Sequence, residues 1–196
     1  MPQTPPKRHT SLRFALILAL TALIGLLVHE TGHGLTAAAL GGRFTGLYVW
    51  PGVEVWPHPG ASFNGKWDGQ IGVATYLPGA DWEADDWRYG LVSLMGSGTN
   101  FLLAALALGC LWAFRPRGRV RLWLLAETWM FLDLTTYTFF PAFGLRHFIF
   151  VGGTSAEPLE GALRLGIPAG VFVTLVVAGS AAMGWGAVQW TVDGGR

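Results

Sequence analysis

The chain has 196 residues, 52% of them hydrophobic and only 13% charged, with a net charge of +1 and a mean hydropathy of +0.42. A water-soluble domain carries about 25% charged residues, so this composition excludes an ordinary soluble domain and points to a membrane. The length suits one domain. The lone Cys110 excludes an internal disulfide and a cysteine-based zinc cluster.

Residues 1–13 are Pro-rich, carry Lys7, Arg8 and Arg13, and are expected to form a short cytoplasmic arm. The apolar run that follows continues through His29-Glu30-Thr31-Gly32-His33 to Leu40, where Gly41-Gly42 ends it. Residues 12–40 therefore read as one transmembrane helix. A signal peptide begins in a similar way, but no small-x-small cleavage site precedes the histidines. Two histidines four apart lie on one helical face, so both imidazoles can reach one metal ion. The adjoining Glu30 has the placement of a general base for a metal-activated water.

Residues 43–88 form an expected interfacial β region. The segments 43–50 and 70–77, β-branched and aromatic between Gly and Pro, read as strands, with 53–56 between them. The many Trp and Tyr rings suit either the headgroup layer or a compact aromatic hairpin. Residues 91–114 hold no charge and read as a second span. After Arg115, Arg117, Arg119 and Arg121, residues 122–143 read as a third span holding Glu127 and Asp133. Residues 146–165 read as a polar connection and 167–192 as a fourth span. The expected fold is thus a membrane α-helical domain of about four transmembrane helices, with a small β-sheet after the first. Seven Lys and Arg residues lie before the first span and between the second and third, which predicts both termini in the cytoplasm. Outside the HExxH stretch, His58 and His147 read as solvated or interfacial loop residues.

His-Glu-Thr-Gly-His-Gly followed by Ala37-Ala38-Ala39-Leu40-Gly41-Gly42-Arg43 resembles the first motif of the site-2 protease family of intramembrane zinc metalloproteases. Gly96-Ser97-Gly98-Thr99-Asn100 is similar to that family's second motif. In place of the third, Glu157 stands nine residues before Gly166-Ile167-Pro168, the spacing of the acid in the family's small branch. The resemblance implies an integral protein of the bacterial inner membrane that hydrolyses membrane-spanning protein substrates within the lipid, and it implies no nucleic acid partner. It implies Zn2+ held by His29, His33 and an acid, Glu30 as general base, and Asn100 as a neutral donor to the oxyanion or the substrate backbone.

Asp133 and Glu157 are the two candidates for the acid. His29 lies about 25 Å along its helix and Asp133 only about 17 Å along the third, whereas Glu157 starts on the non-cytoplasmic side in a segment able to fold back between helices. Glu157 is the preferred third ligand, with Asp133 the alternative. The same residues admit two other classes: a protease-like membrane protein without peptidase activity that binds or regulates partners, and a metal transporter. Transport needs no base beside the first ligand, so Glu30 argues against the latter.

Overall fold

The computed structural model describes residues 8–67, 70–147 and 153–193. Helix α1 runs over Arg8–Ala39, so the part of the expected arm from Arg8 onward is helical, and residues 1–7 lie outside the described residues. Apolar side chains continue back to Leu12, and nothing in 8–13 breaks a helix. The other end closes with two bonds, Gly41 N–H to Ala38 O and Gly42 N–H to Ala37 O at 2.9 Å. Gly41 adopts φ +93°, which a glycine tolerates without strain.

That stop delivers the chain into a three-stranded antiparallel sheet of order β2-β1-β3, with β1 over Arg43–Val49, β2 over Val53–Trp56 and β3 over Gly72–Leu77. Leu47 pairs with Ala74. Its rings partly pack on one another and partly face outward. Phe44 stacks on Trp56 at 4.7 Å and Tyr48 meets Phe63 at 5.0 Å, while Trp50, Trp56 and Trp87 remain largely exposed.

Helix α2, Trp87–Phe114, is capped by the Asp86 carboxylate, which accepts from Arg88 N–H. The Arg88 guanidinium also pairs with Asp81 at 2.8 Å, and it holds both carboxyls below their usual range.

The third apolar segment is not one helix. It divides into α3 (Gly118–Thr128) and α4 (Phe131–Phe139), followed by a 3-10 turn over Phe140–Phe143. At the break the bonds shorten to i+3, from Met130 N–H to Glu127 O and from Asp133 N–H to Met130 O. Threonine hydroxyls bend helices by bonding back to the preceding turn; here Thr128 donates to Leu124 O and Thr138 to Leu134 O. The expected polar connection contains a further helix, α5 over Glu157–Arg164, before α6 over Ala169–Asp193.

Among the described residues, three helices are long and apolar enough to cross a membrane: Leu12–Ala39, Trp87–Phe114 and Ala169–Val192. Their outer faces leave Leu16, Leu106, Leu175 and Trp185 about half exposed or more, a surface suited to lipid. Inside, Ala104, Phe131 and Met183 form one core cluster, and Ala162, Phe172 and Val176 another.

Glycines set the closest approaches. Gly90 of α2 and Gly161 of α5 face one another, and a Cβ on Gly161 would stand 2.5 Å from Gly90 O and 2.9 Å from Leu94 N. Both obstacles are backbone, so the helices would have to part. Gly161→Val is expected to destabilise the fold by about 1–3 kcal/mol, read as a lower melting temperature in detergent. Gly109→Ala, where a Cβ meets nothing within 4 Å, is expected to leave it unchanged or raise it.

Candidate metal centre

His29 and His33 lie one turn apart on α1 with ring centroids 4.9 Å apart. Their Nε2 atoms converge on one carboxylate oxygen, Oε2 of Glu157, at 3.8 Å and 3.5 Å. One ligand atom from each of the three residues lies within 4.8 Å of the others, so the group can hold a metal ion. Tetrahedral bonds of about 2.0–2.1 Å put neighbouring ligand atoms about 3.3 Å apart, a little closer than these spacings and within reach of small side-chain rotations.

The hydrogen bonds behind the imidazoles fix which nitrogen is offered. His33 Nδ1 lies 2.7 Å from Val92 O; a carbonyl only accepts, so Nδ1 carries the proton and leaves the Nε2 lone pair free. His29 Nδ1 lies 2.8 Å from Asp133 Oδ2, and a carboxylate there favours the same tautomer and raises the basicity of Nε2. Asp133 thus reaches the motif helix, but on the nitrogen away from Glu157. The break before α4 puts Asp133 in that helix's first turn, where the helix dipole favours a carboxylate.

Asn100 does not line the cleft in front of the histidines. Its Nδ2 donates to Asp133 Oδ2 at 2.8 Å, and its side chain is fully buried. The expected oxyanion donor is therefore occupied behind the site, holding Asp133. Glu157 also differs from expectation in its backbone: it opens α5 instead of sitting in irregular chain, with Pro158 in that helix's first turn. Burial pushes its carboxyl up, but the His29 and His33 imidazoles outweigh this and hold it below the usual range.

Glu30 lines the same cleft as His29, His33 and Glu157. A Cβ on Gly72 would stand 2.9 Å from its Oε1, so β3 passes directly over its carboxylate. Together these groups line a cleft of about 240 Å³ that also takes in Tyr137, His147 and Ser155. A larger apolar groove of about 630 Å³, between residues 24–40 and the facing part of α2, has no titratable side chain in its lining.

Three residues of the site escape sequence reasoning. Gly96 reads as helix packing, yet a Cβ there would run into Nε2 of His33 and lie 2.7 Å from Nε2 of His29, so its bareness leaves room beside the two nitrogens that could hold a metal. Tyr137 lies with its ring 4.8 Å from His29; its spacing of four from Asp133 is the one signal that puts it on the same helical face. His147, which reads in the sequence as a solvated or interfacial loop residue, is 2% exposed and stacked on Tyr137 at 3.4 Å, and burial pushes its imidazole down to about 4. His58, by contrast, is exposed and pairs with Glu54.

No family model, curated protein or solved structure matches this chain.

Metal affinity separates these roles. His29→Ala, His33→Ala and Glu157→Ala are each expected to abolish stoichiometric binding of a divalent metal in calorimetric titration. Asp133→Ala is expected to weaken it by roughly 10–100-fold without abolishing it. Equal losses at Asp133 and Glu157 would contradict the assignment.

Proposed function

We propose that this protein is an intramembrane zinc metalloprotease that hydrolyses peptide bonds of membrane-spanning protein substrates. The observation that carries the reading is Glu30, buried in the same cleft as two outward-facing imidazole Nε2 atoms and a carboxylate. Two histidines, one carboxylate and an open side form a donor set that suits catalytic zinc. Bound there, zinc supplies the Lewis acidity that activates water and polarises a peptide carbonyl. Glu30 takes the proton of the attacking water as its oxygen bonds to the carbonyl carbon. It then passes that proton to the amine nitrogen as the carbon–nitrogen bond breaks.

β3 supports the substrate's side of the reading. It is an edge strand of the sheet. Because Trp50 N–H bonds to Ile71 O, the alternation of an antiparallel ladder turns the peptide groups of Val73 and Thr75 toward β1. Those of Gly72, Ala74 and Tyr76 face outward. A substrate segment unwound from its own helix can add to that edge, within reach of Glu30.

In the same reading α3 and α4 together make a fourth crossing. Residues 118–139 cover about 33 Å at helical rise, enough for the hydrocarbon core. Both termini and the Arg115–Arg121 turn then lie in the cytoplasm of a bacterial inner membrane, and the sheet lies on the far side.

Two measurements test the proposal. Glu30→Gln is expected to keep about one zinc per chain by elemental analysis while cleavage of a membrane-spanning reporter falls roughly 10²–10⁴-fold; retained cleavage would end the mechanism. In a Cys110→Ala background, a cysteine at Arg117 is expected to react with an impermeant maleimide only in inverted vesicles. Labelling in intact cells would reverse the topology.

A further inference from the structure

Neither ring nitrogen of His147 has a hydrogen-bond partner among the described residues, although the side chain is buried. A polar ring shielded from water and left unpaired is costly, and a native structure keeps one where something else completes it. His147 is well held in place. Its ring lies on Tyr137, which lies against His29, and its backbone N–H donates to Gly153 O at 3.2 Å. Gly153 has no side chain to cover the ring; a Cβ there would stand 3.5 Å from Nε2. The cleft it lines is the one holding Glu30 and the outer edge of β3.

A peptide added to β3 satisfies only one row of its backbone groups there, because alternate groups of a strand face opposite ways. The second row needs partners from the remaining lining, which α4 and the chain before α5 supply. We infer that His147 is a substrate-binding residue whose ring N–H donates to a backbone carbonyl of a peptide lying along β3, gripping the strand from its second edge. This rests on the peptidase reading for the identity of the ligand. The Tyr137 stack and the hydrogen bond to Gly153 O hold the ring in place for that one bond.

The test uses the full-length, zinc-loaded Glu30→Gln protein in detergent micelles. The probe is a fluorescein-labelled decapeptide of alanine, leucine and glycine, and its binding is followed by anisotropy. His147→Phe keeps the stack and removes both nitrogens, and it is expected to weaken binding roughly 3–10-fold. His147→Gln, which keeps a donor, is expected to bind closer to the parent. Gly153→Val, which covers the Nε2 edge, is expected to bind more weakly and carries the test if His147→Phe does not fold. Zinc content and melting temperature should stay at parental values in each. Parental binding by both His147→Phe and Gly153→Val overturns the inference. So does a loss of zinc that accompanies the weakening, or the absence of peptide binding in the parent. A wild-type protein that cleaves nothing while peptide binding still depends on His147 retires the peptidase reading and leaves the binding role standing.

Discussion

One carboxylate ties the bundle together. Asp133 Oδ2 accepts from His29 of α1 and from Asn100 of α2, and Asp133 itself belongs to α4. Three helices therefore meet at a single oxygen, with no bulk water to replace any of the bonds. In an apolar surrounding an unmet donor or acceptor is expensive, so removing one member penalises the others as well. The same contact orients the first imidazole. Holding the helices together and presenting Nε2 are one interaction.

Glycine supplies what the hydrogen bonds cannot, which is proximity. Gly32 lets α1 lie against Met95 O and Thr99 of α2, Gly96 leaves room beside both imidazoles, and the Gly90–Gly161 pair seats α5 so that Glu157 reaches the histidines. Between membrane helices there is little hydrophobic drive to association, because lipid is as apolar as the partner; close van der Waals contact through small residues takes its place. The spacing of the candidate ligands thus depends on residues that contribute no ligand atom.

The parts of this arrangement legible in the sequence are those with local causes. The i, i+4 spacing of His29 and His33 marks one helical face, and alternating β-branched and aromatic runs mark β1 and β3. Gly41-Gly42 marks the end of α1. What the sequence does not display depends on distant contacts. The segment around Trp129 and Met130 contains no Gly or Pro, so no helix-breaking residue marks its division into α3 and α4. Asn100 has the composition of a site residue, but its direction is set by Asp133, 33 positions away. Gly and Pro around Glu157 suggest irregular chain, yet Pro158 starts a helix there. His147 looks like any loop histidine until Tyr137 is folded beneath it.

The stop at Gly41-Gly42 has a consequence for solvent access. His33 lies six residues from Ala39, the last residue of α1, about 9 Å at helical rise, and His29 about 15 Å. In the membrane-embedded reading proposed above, with the helix end at the boundary of a roughly 30 Å hydrocarbon layer, the cluster lies between that boundary and the midplane, and the sheet's polar backbone begins immediately beyond the helix end. Water then has only a short distance to cover from the headgroup side, and no continuous pore through the bilayer is needed. A reaction consuming water at this position can proceed while the other half of the bundle stays dry, and the membrane keeps its barrier to ions.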